Sequence, residues 1–288
     1  MKKYTENVKK EFSEVADFTK SATAKVSKRV ISDGIALINP FTVPIRMVPF
    51  TMKTFWRVWK NKNVGRDLVL IEITKQVYFT GVQAFWIVSL LSIAIGLLAG
   101  LQISLLVEKI GNPSLINKIF FRTIIVELAP LITAVIIIAR SGTAVSVELS
   151  TLVYNKEIEV YDSLGIDKYY FLIYPRILGM ALSTVALSGF FVVMSVLAGA
   201  YMVNAIADVP FNIYLKRLAA EGSFIDVFML FAKSVLNGLV IAMISCYIGL
   251  KSKPTLMQIP RVATAAVLYS IFAVLIITAG VDILLLFK

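Results

Sequence analysis

Histidine is absent from these 288 residues and cysteine occurs once, at Cys246. A single cysteine excludes a disulfide within one chain, and the two shortages together argue against a His/Cys metal cluster and remove the usual Ser-His-Asp and zinc-based hydrolytic arrangements. No Gly-x-x-x-x-Gly-Lys-Ser/Thr loop is present to cradle nucleotide phosphates. The chain is therefore not expected to hydrolyse ATP by itself, nor to bind a metal or cofactor of its own. Charged residues are scarce, at 16%. No strongly apolar run precedes Phe85, so no secretory signal peptide is expected and the spans themselves direct insertion.

What fills the space is apolar. Hydrophobic residues make up 58% of the chain and its mean hydropathy is +0.81, too high for a soluble domain of this size. The expectation is an all-α integral membrane protein. About 20 mostly apolar residues cross ~30 Å of hydrocarbon, and five segments qualify, at about 85–107, 119–152, 169–203, 226–250 and 262–287. The second is longer than one crossing needs, and Pro130 and Gly142 offer places to bend or end it.

Residues 1–84 hold fifteen Lys and Arg against seven Asp and Glu, which accounts for most of the net +11 and places the amino terminus in the cytoplasm. Five spans then put the carboxyl terminus outside. Within 1–49, Val8, Phe12, Val15, Ala22, Val26 and Val30 share a helical face beside Lys9, Lys10, Lys20, Lys25, Lys28 and Arg29, a basic amphipathic extension suited either to an anionic leaflet or to ordinary solvated packing. Phe55, Trp56 and Trp59 with Lys53, Arg57 and Lys60 have the make-up of a bilayer interface, so an interfacial helix is expected over about 50–80, opening a permease domain that runs 50–288. Nothing points to nucleic acid as a partner.

Isolated charges mark the second span. A Glu or Arg at the bilayer centre costs roughly 2.5–3.5 kcal/mol on insertion scales and usually faces a partner or a wet cavity. Arg140 and Glu148 lie about 80° apart in helical projection but ~12 Å apart in rise, so they are expected to meet other groups and to act as structural polar anchors. Glu127, just before Pro130, reads either as a cavity residue or as a carboxylate satisfied by backbone or a neighbouring helix. Gly96 and Gly100 form a small-xxx-small pair suited to close helix packing. The insert 155–167 reads as a short helix with Ile158, Tyr161 and Leu164 on an apolar edge, acids around it and Gly165 to end it; docking into another protein and a solvated loop both fit.

In sequence order, Glu127-Leu128-Ala129-Pro130, Ala139-Arg140-Ser141-Gly142-Thr143-Ala144, Glu148-Leu149, the Glu157–Asp167 insert and Pro175-Arg176 resemble the MlaE/YrbE-type permeases of MCE lipid-transport systems. Gly96 to Gln102 resembles the end of their first span, and Arg261-Val262-Ala263-Thr264 the start of their last. The resemblance covers about residues 50–288. It implies a homodimeric ABC-transporter subunit in the bacterial inner membrane, joined to two cytoplasmic ATPases that carry ATP and Mg. A periplasmic MCE-domain protein would pass phospholipid between inner and outer membranes, maintaining outer-membrane lipid asymmetry. The resemblance leaves room for a small regulatory subunit on the ATPase.

In that setting Glu157, Ile158, Glu159, Tyr161, Asp162, Leu164 and Gly165 belong to a coupling helix that inserts into the ATPase. Glu127, Gln102, Leu98, Leu101 and Leu128 become lipid-cavity candidates, since a two-chain lipid needs a roomy apolar pocket with few polar groups. The chain departs from the family where an Arg often precedes the motif Glu, because Val126 stands there. An ion-coupled secondary transporter is the first alternative, although no convincing internal repeat is found. A nonenzymatic membrane scaffold is the second.

Overall fold

A computed structural model describes residues 49–54, 56–58, 65–110, 113–207, 209–251 and 259–286, all within one compact unit, Met47–Lys288. The amphipathic reading of residues 1–48 lies outside the described residues. Regular structure among the described residues is helical throughout. Five stretches are long and apolar enough to cross a membrane: Arg66–Val107, Ile116–Tyr154, Tyr169–Ala207, Phe224–Lys251 and Ile259–Ile283.

The first comprises α1 (Arg66–Val77), a π-helical turn (Tyr78–Val82) and α2 (Phe85–Ile110). Gly65 precedes α1 with φ 63°, a left-handed conformation open to glycine at little steric cost. The interfacial helix expected over 50–80 is thus interrupted there: residues 49–54 and 56–58 are helical on one side, and α1 begins anew on the other.

The second span follows α3 (Pro113–Phe121) through a π-helical turn (Arg122–Leu128), α4 (Ala129–Ile137), another π-helical turn (Ile138–Gly142) and α5 (Thr143–Tyr154). Neither Pro130 nor Gly142 ends it. Pro130 directly follows the first π-helical turn, and such a local widening lets a helix continue past a residue that donates no N–H.

A short helix, α6 (Glu157–Ser163), joins this span to the next. It is tighter than the 155–167 expected from sequence, because Lys156 at φ 59° and Gly165 at φ 69° bracket it with left-handed residues. A π-helical turn (Tyr169–Ile173) then leads into α7 (Tyr174–Ala207).

At the opposite end of the bundle, between the spans expected at 169–203 and 226–250, the chain forms α8 (Phe211–Glu221), before α9 (Phe224–Lys251) and α10 (Ile259–Leu286). Tyr214 and Leu218, four residues apart on α8, bury against Ile103, Ile116, Ala200 and Val203. This small second core holds α3 and α8 on the ends of α2 and α7. Burial pushes the Tyr214 phenol up to about 12, so it is neutral at ordinary pH.

The main core gathers Ile137, Ile138, Leu149, Ile173, Met180, Phe191 and Ile241 from the second, third and fourth spans. Between α2 and α7 the backbones nearly touch. A Cβ added at Gly96 would lie 2.2 Å from the Ser195 carbonyl oxygen, and one at Gly100 would lie 2.5 Å from that of Gly199. Absent side chains permit this approach, which van der Waals packing then stabilises.

Candidate functional site

Two buried networks of polar side chains lie at different depths in the bundle. The first centres on Lys233, whose side chain is 0% exposed. Its ammonium donates to both oxygens of Glu127 at 2.8 Å each and to Asp282 Oδ1 at 2.5 Å. Three spans meet here: Glu127 comes from the π-helical turn of the second, Lys233 from α9 and Asp282 from α10. The turn is wide because the Ala129 N–H reaches back five residues to Ile124 O, a geometry recurrent at functional sites.

Burying a lone ammonium would be prohibitive, and the two carboxylates offset that cost by charge and by hydrogen bonding. Two acids against one base leave the cluster with one excess negative charge. Access is one-sided: the Glu127 and Asp282 side chains remain 38% and 35% exposed while Lys233 is sealed behind them. The cluster therefore shows its carboxylates, not its ammonium, to whatever enters.

The second network lies toward the α6 end and centres on Arg176, also buried. Its Nη2 donates to Glu148 Oε1 at 2.8 Å and its Nη1 to Gln76 Oε1 at 3.1 Å. Gln76 Nε2 in turn donates to Thr80 Oγ1 at 3.0 Å. One arginine thus ties α5, α7 and α1 together, and here acid and base balance.

Arg140 meets neither Glu127 nor Glu148. It donates through Nη1 to the Phe79 carbonyl at 2.8 Å and through Nη2 to Gln83 Oε1, with its guanidinium over the Phe79 ring. It links the later π-helical turn of the second span (Ile138–Gly142) to that of the first.

Helix α6 buries none of its residues. Glu157, Glu159, Tyr161 and Asp162 project around it, and Val160 and Leu164 are among its most exposed apolar groups. Only Ile158 packs against the main core. Its base is fixed by Lys168 to Asp162 at 2.7 Å, by Arg57 to Asp167 at 3.3 Å and by Phe50, whose ring meets Tyr169 and Tyr247. Trp56, Arg57, Gly165 and Ile166 line an open polar groove beside it.

Of the remaining residues singled out from sequence, Gly96 and Gly100 line a small apolar cleft with Ile124, Ile125, Gly199 and Tyr214. Leu98 and Gln102 are exposed on α2, while Leu101 and Leu128 are half-buried. Among the described residues no hydrogen bond joins Gln102 to Glu127. The sequence reading missed Lys233 and Asp282. Each is a charge set inside an apolar stretch, the same signal that drew attention to Glu127. No group of three or more acidic or sulfur side chains suited to a metal occurs among the described residues.

Comparison with known proteins agrees with this architecture. The family model described as Permease MlaE matches residues 73–284. A probable ABC transporter permease protein of Rickettsia typhi is 26% identical over 211 residues, covering 73% of this chain and 81% of that protein. One from Synechocystis is 24% identical over 202 residues, covering 70% and 77%. One from Pyropia yezoensis is 24% identical over 204 residues, covering 71% and 78%. The chain belongs to the MlaE permease family, as a multi-pass membrane subunit of the ABC-transporter permease type.

Proposed function

We propose that this permease moves phospholipid through the bacterial inner membrane as a homodimer, powered by separate cytoplasmic ATPases and exchanging lipid with a periplasmic MCE-domain protein. The amino terminus and α6 then face the cytoplasm, and α3 and α8 face the periplasm. One observation carries the reading. A helix with no buried residue stands between two spans at the end where Arg176 joins three helices, so a protein gripping α6 can displace the spans behind it. An amphipathic helix presented in this way suits insertion into a groove on a partner. The Lys233 cluster supports the choice of cargo, because it supplies a few convergent polar groups amid long apolar helices, the make-up of a site that orients a lipid headgroup.

The test is assembly and transport. The purified chain alone should show no ATP hydrolysis, and with its ATPase it should move a fluorescent phospholipid between donor and acceptor vesicles in an ATP-dependent manner. Reversing charge with E157K and E159K should weaken ATPase association. ATP hydrolysis by the isolated chain, or unchanged ATPase association and stimulation in the reversed variant, would refute the coupling scheme.

A further inference from the structure

One of the open carboxylates, Glu127, has a cationic neighbour on its own turn. Arg122 begins the π-helical turn that carries Glu127, is exposed, and among the described residues is reached by no hydrogen bond or ion pair. In a π-helix the backbone bonds run from i to i+5, so residues five apart stand about one turn apart along the axis and on nearly the same face. The backbone positions of Arg122 and Glu127 are therefore offset by roughly 5–6 Å along the axis, about one helical pitch. Lys118, four residues earlier on α3, is also exposed and extends the positive end.

Charge along this line runs from cation to carboxylates, with Lys233 hidden behind the latter. The position before Glu127 is Val126, buried at 2% exposure, so apart from the enclosed Lys233 the cation that shares this turn with Glu127 is Arg122, about one turn away. A zwitterionic headgroup has that pattern: a phosphate and, a few bonds away, a primary ammonium. Arg122 and the excess negative charge of the cluster also cancel, so a neutral ligand leaves the site neutral.

We infer that the site formed by Arg122, Glu127 and Asp282 selects phospholipids with a zwitterionic, amine-bearing headgroup. The guanidinium pairs with the phosphate, and the ammonium donates to carboxylate lone pairs that Lys233 leaves free. A headgroup that ends in hydroxyls brings its phosphate to Arg122 and leaves the negative charge of the carboxylates unanswered, so discrimination arises from an unpaired group as well as from a favoured one. This rests on the lipid-transport reading above.

The experiment uses the permease assembled with its ATPase, reconstituted in vesicles of equimolar phosphatidylethanolamine and phosphatidylglycerol and re-extracted in mild detergent, with retained lipid counted by mass spectrometry. Wild type should hold phosphatidylethanolamine over phosphatidylglycerol by roughly tenfold relative to the input, the equivalent of one charge-assisted hydrogen bond. D282N and R122Q should each bring that ratio down to within about threefold of the input. R122Q alters an exposed side chain, and D282N leaves Lys233 held by both Glu127 oxygens, so both variants should fold. A wild-type ratio equal to the input, or a ratio unmoved by both variants, overturns the selectivity. A wild-type assembly that retains no lipid overturns the transport reading, and the selectivity with it.

Discussion

The Lys233 cluster and the Arg176 network are both buried cations held by carboxylates, yet they differ in balance and in reach. Lys233 is fully enclosed and faces two acids that are each about one-third open. Arg176 faces one acid, Glu148, whose side chain is 49% exposed, and adds a hydrogen bond to the neutral Gln76. The first arrangement leaves charge unspent and turned outward, as a ligand site requires. The second spends its charge joining α1, α5 and α7, as a mechanical joint requires.

Removing the central cation should break the first network hardest. K233M leaves two neighbouring carboxylates without their counter-charge, and the loss should be about 3 kcal/mol, the low end for breaking a buried pair because both acids keep some access to the exterior. Thermal unfolding of the detergent-purified chain measures it. Replacing the whole set, as in E127L/K233M/D282L, should recover most of that stability, since apolar substitutes avoid the desolvation cost, while lipid retention stays lost.

R176M should cost less, about 2 kcal/mol, because the guanidinium hydrogen bonds are lost but the half-exposed Glu148 can rehydrate. Its distinctive readout is ATP hydrolysis that continues without proportionate lipid movement. Smaller still is E148Q, about 0.5–1 kcal/mol, since Gln keeps an acceptor for Arg176 and the pair is partly solvated. If E148Q proved as damaging as K233M, the contrast between an open site and a closed joint would fail.

The five spans are legible in the sequence because crossing a bilayer demands a continuous apolar run, and Glu127, Arg140 and Glu148 stand out as charges within one. Their partners do not follow from the same reading. Lys233 lies 106 residues from Glu127 and Arg176 lies 100 from Gln76, so each pairing depends on how distant helices align. The π-helical turns also escape detection, because one extra residue per turn leaves no side-chain period to find. Helix α8 was missed for another reason. It is too short for a span, yet its aromatic Phe211 and Tyr214 beside Lys216 and Arg217 are the same interfacial signal seen at residues 53–60, and that signal could have found it. Helix α6 was legible as an amphipathic segment, but spacing alone could not separate a docking helix from a solvated connection.

The glycine contact between α2 and α7 bears on how the protein can move. With backbones at Gly96 and Ser195, and again at Gly100 and Gly199, too close to admit a methyl group, neither helix can slide or rotate against the other without collision. The first and third spans thus travel as a single plank. The fourth span is held in the same way, Gly238 against Ala181 of the third and Gly249 against Ser146 of the second, so on the proposed function a gap wide enough for a lipid opens where the fifth span, carrying Asp282, meets the rest.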